Sequence, residues 1–107
     1  MITFVINGLG WRVRIVPPTY PMLLTDKNTF TLGCCDNSTR TIYIADGLGE
    51  AKFRKVLAHE VTHAAMFSYN VILTLDQEEL LADIFSTYGD EIVAVTNKVF
   101  KKIKGRY

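Results

Sequence analysis

The chain lacks an excess of either charge: twelve Lys and Arg stand against eleven Asp and Glu, a net +1. A field that weak recruits no nucleic acid, anionic membrane or acidic partner. No apolar run approaches the ~18 residues of a membrane-spanning helix, and the opening MITFVINGLGWRVRIV has neither a basic lead-in nor a small-residue cleavage site. A soluble protein is therefore expected. Cysteine is nearly absent, and Cys34 and Cys35 are adjacent, so they cannot close an ordinary disulfide loop without strain. Both read as free thiols in a reducing cytoplasm, as small buried hydrophobes rather than a redox pair or soft metal ligands. There are no repeats or low-complexity runs, and only two histidines, His59 and His63.

What is present is enough for one core. With 107 residues and 49% hydrophobic side chains the chain reads as a single domain over 1–107 and is too apolar for disorder. The first third has the period of strands. Residues 2–6 are β-rich, Asn7 and Gly8 make a turn, and Trp11, Val13 and Ile15 alternate with Arg12 and Arg14. Pro17, Pro18 and Pro21 interrupt regular structure, after which 30–34 and 40–44 read as two strands joined through Asp36, Asn37 and Ser38. The second half changes to helical spacing, from about residue 49 to 69 with Asp46 as a possible N-cap, and again from Thr74 or Asp76 through Ile103, with Gly89 as a possible kink. The expectation is an α+β fold with a small, mostly antiparallel sheet. The acidic start (Asp76, Glu78, Glu79) and basic end (Lys98, Lys101, Lys102, Lys104) of the last helix suit its macrodipole.

His59, Glu60, Val61, Thr62 and His63 spell H-E-x-x-H inside the first helix, a spacing that turns both imidazoles to one face where they can share a Zn²⁺ ion. Two histidines scattered over this length fall four apart about one time in fifty, and with Glu after the first about one in a thousand. The helical wheel agrees independently. At about 100° per residue Phe53, Val56, Leu57, Val61 and Ala64 form the apolar arc, and Glu60 falls inside it. A carboxylate on a buried face needs a partner, a wet cleft or a proton.

A catalytic zinc site takes three protein ligands and leaves one position open. No third histidine exists, and Met66 and Tyr69 stand where a metzincin would carry Gly and His. A carboxylate on the next helix is the better candidate. Glu79 shares a face with Asp83, four residues on, so Glu79 can ligate while Asp83 orients an imidazole. Glu78, about 100° round the helix, is the alternate. Asp76-x-x-Glu79 also reads as a capping box, and Thr74-x-x-Gln77 reads as an equally good one.

HEVTH at 59–63 followed by EELLAD at 78–83 resembles the gluzincin metallopeptidases, and most closely the ImmA/IrrE-like peptidases. Their ligand helix reads Glu-x-x-Ala-Asn-x-Phe-Ala, which Glu79, Ala82, Phe85 and Ser86 fit, with Asp83 in place of Asn. TLGCCDNSTRTIYI at 31–44 is similar to the Gly-containing hairpin ahead of the metal helix in ImmA/IrrE-like and SprT-like proteins. The resemblance covers about residues 31–88 and implies a minimal zincin-like fold of minigluzincin size that hydrolyses a peptide or protein substrate. In that reading His59, His63 and Glu79 hold zinc, which acidifies water, and Glu60 is the general base that passes the proton to the leaving amine. Tyr69 or Tyr88 would steady the oxyanion, and the strand at 40–44 would present an edge to the substrate. Two rivals remain. One is a zinc-stabilised binding module without turnover, and the other is a metal-free interaction protein that docks a partner on its long last helix.

Overall fold

The computed structural model describes residues 2–103 and 105–106; Lys104, the end of the basic run, lies outside them. The architecture is α+β, a four-stranded mixed sheet and two helices. Strands β1 (Ile2–Ile6) and β2 (Leu9–Val16) form a hairpin whose two turn residues, Asn7 at φ 50° and Gly8 at φ 75°, take the left-handed backbone that matches strand twist. β3 (Gly33–Asp36) and β4 (Thr41–Ala45) form a second antiparallel pair. The sheet order is β1-β2-β4-β3, so β2 and β4 run parallel at the centre between two antiparallel pairings. β3 starts later than the residue pattern suggests, because Phe30 makes only an isolated bridge to Leu24.

Both faces of the sheet carry a core, which is why all five residues of β4 are buried. Trp11, Val13, Ile42 and Ile44 face the first helix, while Val16, Tyr43 and Ala45 lie under Leu23 from a 3-10 turn at Pro21–Leu23. Ile15 is consequently not a core residue. It is 52% exposed, and its neighbour Val16, on the opposite face, is buried instead.

Helix α1 (Glu50–Ser68) lays Phe53, Val56, Leu57, Val61 and Ala64 on the sheet, the arc its sequence defines. Its N-cap is Gly49, at φ 80°; the Asp46 carboxylate accepts the Gly47 N–H instead. Its far end is latched to the hairpin. Trp11 Nε1 donates to Ser68 Oγ at 2.9 Å, and Asn7 Nδ2 donates to the Ser68 carbonyl at 2.9 Å.

Helix α2 (Leu75–Ile103) is opened by a reciprocal box in which the Thr74 N–H donates to Gln77 Oε1 and the Gln77 N–H to Thr74 Oγ1. That assigns the cap to Thr74 and frees Glu79. Gly89 does not divide the helix; it is buried, as is Ala82, and a Cβ there would stand 3.3 Å from the Phe85 ring one turn earlier. No helix among the described residues is long and apolar enough to cross a membrane.

Candidate metal centre

The α1–α2 hairpin is antiparallel, so residues later on α1 meet residues earlier on α2. This registers His63 against Glu78 and Glu79, and His59 against Glu79 and Asp83. The two Nε2 atoms converge at 3.2 Å, and Glu79 bridges them, Oε2 lying 3.2 Å from His59 Nε2 and Oε1 3.0 Å from His63 Nε2. The ligand atoms of His59, His63 and Glu79 all lie within 4.8 Å of one another, a group that can hold a metal ion.

Each imidazole turns its other nitrogen to a carboxylate. His59 Nδ1 is 3.1 Å from Asp83 Oδ1, and His63 Nδ1 is 2.6 Å from Glu78 Oε1. Such partners hold an N–H on Nδ1 and leave the Nε2 lone pair for a metal. Asp83 lies against His59 Nδ1, on the helix face it shares with Glu79. Glu78 meets the buried His63 on its Nδ1 side, away from the two Nε2 atoms, and does not belong to the group of three that could hold an ion. Helical spacing alone would set the counterpart of Asp83 four residues earlier, at 79, so the place of Glu78 against His63 shows only in the packed hairpin.

Glu60 is 7% exposed and lies beside the group, its carboxyl pushed up by burial, with His59 and His63 partly opposing that rise and Glu79 adding to it. It meets the sheet at Gly33. A Cβ there would stand 2.8 Å from Val56 Cγ1 and 3.0 Å from both Glu60 Cγ and Oε2, so only glycine lets β3 pass this close beneath the carboxylate. The glycine in the 31–44 segment thus has a steric reason.

A cleft of about 360 Å³ opens over these residues, floored by Gly33, Cys34 and Cys35 and walled by Met22, Leu24 and Leu75. Both cysteines are free, and burial raises both thiols, the Glu60 charge reinforcing it, so neither is a ready thiolate. β3 is the sheet edge at this cleft. The strand at 40–44 is not: as β4 it is interior, paired on both sides. Tyr69 and Tyr88 are 60% and 56% exposed and neither lines the cleft, so the structure brings no oxyanion helper from those positions. Comparison with family models, curated proteins and solved structures gives no match to this chain.

Proposed function

We propose that the chain is a zinc-dependent peptidase of the gluzincin type, with a minimal zincin-like fold. The observation that carries this reading is the convergence of two Nε2 atoms and one carboxylate, each imidazole backed by its own acid, beside a buried glutamate. Two imidazoles and a carboxylate are a donor set that zinc takes, and their ligand atoms lie within 4.8 Å of one another.

His59, His63 and Glu79 would hold the ion, which supplies Lewis acidity toward water and a scissile carbonyl. Glu60 takes the proton from water in the cleft and returns it to the leaving amine. A carboxyl raised by burial suits both steps, since it holds a proton more readily than an exposed one and still releases it. The β3 edge offers backbone groups to an extended peptide, and Gly33 keeps that edge against Glu60.

Protein purified without a histidine tag should carry about one equivalent of zinc by elemental analysis, and Glu60→Gln should retain the metal while losing hydrolysis of an unfolded protein substrate. No transition metal, together with no thermal stabilisation by added zinc, would refute the metal site. Zinc bound without turnover in the unmodified chain would leave the rival binding module.

A further inference from the structure

We infer that α2 pairs antiparallel with α2 of a second copy of this chain, a surface independent of the metal reading. The side of α2 away from α1 carries Leu81, Phe85, Tyr88, Ile92, Val95 and Val99, spaced four, three, four, three and four apart. This is the spacing of a coiled-coil seam, and it lies roughly 130° round the helix from the side that docks on α1. Each of the six is between 42% and 57% exposed. Together they leave on the order of 500 Å² of apolar surface open on a 107-residue chain.

The seam already has the shape that receives a partner. Tyr88, Glu91, Ile92 and Val95, at i, i+3, i+4 and i+7, line an open apolar groove with Thr96. Four residues at those positions are the hole into which a coiled-coil partner inserts a side chain.

Charge selects a second copy and its direction. Every acid on α2 (Asp76, Glu78, Glu79, Asp83, Asp90, Glu91) precedes residue 92, and its described bases (Lys98, Lys101, Lys102) all follow residue 97. A parallel pair would gather like charges at both ends, whereas an antiparallel pair sets the acidic half of each helix against the basic half of the other. In that register Ile92 packs on Val95 of the second copy and Tyr88 on Val99, Val95 enters the hole described above, and Glu91 flanks Lys98 of the second copy, twice by symmetry.

The length of α2 agrees. Arg54 pairs with Asp90 at 3.0 Å, and α1 begins at Glu50, about one turn further, so α2 beyond about residue 94 has no α1 beside it. The two-fold axis of the antiparallel register falls between residues 93 and 94. Each overhanging end would therefore lie along the other copy's docked half, and the two sheets would stand at opposite ends of the pair.

Sedimentation equilibrium of the full chain from about 1 to about 100 µM should show a dimer. Ile92→Glu should give a monomer that keeps its far-ultraviolet circular dichroism. Glu91→Lys and Lys98→Glu should each weaken dimerisation about tenfold, since either change turns two cross-helix attractions into repulsions, and the double variant should restore it. A monomer at 100 µM overturns the proposal and leaves the seam to a different partner. So does a dimer indifferent to Ile92→Glu, and additive losses in the double variant overturn the antiparallel register.

Discussion

α1 and α2 both carry a long apolar row, and only one of them is covered. α1 spends its row on the sheet and buries Glu60, His63, Ala64, Met66 and Ser68, whereas α2, ten residues longer, buries only Ala82 and Gly89. The first helix is held by the hydrophobic effect, whereas the second meets it through one exposed ion pair and the carboxylates it offers to two histidines. The lesson is that α2 depends on the polar cluster in a way α1 does not. An ion shared by His59, His63 and Glu79 would be the strongest tie between them.

The sharpest break of this contrast is removal of that tie. Chelation, or His63→Ala, should abolish stoichiometric zinc binding and lower amide protection over residues 75–90 by at least tenfold, while β2 and β4 stay protected. Hydrogen exchange by mass spectrometry in an Ile92→Glu background, where no second copy covers α2, reads this directly. Equal loss in both helices would show that α2 is docked by something other than the cluster.

Next in size is Gly33→Ala, which acts on the covered side. Its methyl meets Val56 and Glu60 at 2.8 and 3.0 Å, so β3 and α1 must part. The expected cost is about 1–3 kcal/mol, measured as a lowered urea midpoint. An unchanged midpoint would mean the sheet absorbs the methyl without moving the helix.

Glu78→Gln and Asp83→Asn should each weaken zinc roughly 10 to 100-fold by removing an orienting partner. Glu78 should stand at the upper end, because its side chain is 18% exposed against 70% for Asp83 and its contact is shorter. Competition titrations against a chelator give the order, and the reverse order would make solvent exposure irrelevant to the support of these histidines.

The smallest effect is a slope. In metal-free protein the native state holds Glu60 neutral above the ordinary carboxylate range, so it binds more protons there than the unfolded chain and stability falls as pH rises through that window. Glu60→Gln has nothing to ionise and should lose this component. The difference in midpoint between the two proteins should grow from acid toward neutral pH, and a constant difference would mean Glu60 is solvated in the cleft.

Local features were readable from the residues alone. Asn7-Gly8 dictates the hairpin, the arc from Phe53 to Ala64 dictates how α1 lies, and the Thr74 box, one of two possible, opens α2. His59, His63, Glu79 and Asp83 fall together because one helix face and one antiparallel hairpin are enough to gather them. What escaped depends on distant pairing. The parallel contact of β2 with β4 comes from a chain that leaves β2 through Pro17 and Pro18, crosses one sheet face and returns along the far edge. The same crossing covers Val16 rather than Ile15 and makes β4 interior, so the cleft is edged by β3. Glu78 escaped because a helical wheel shows which way a residue points and not what the neighbouring helix holds there.

The latch at Ser68 sets an order of assembly. The hairpin can form within microseconds from residues close in sequence, but Asn7 and Trp11 find their partners 61 and 57 positions later. During synthesis the first strands must therefore wait, with Trp11 uncovered, until the last turn of α1 has been made. The tryptophan that is among the most deeply buried side chains in the finished protein is then among the last to be dried, and its fluorescence would time the closing of the core.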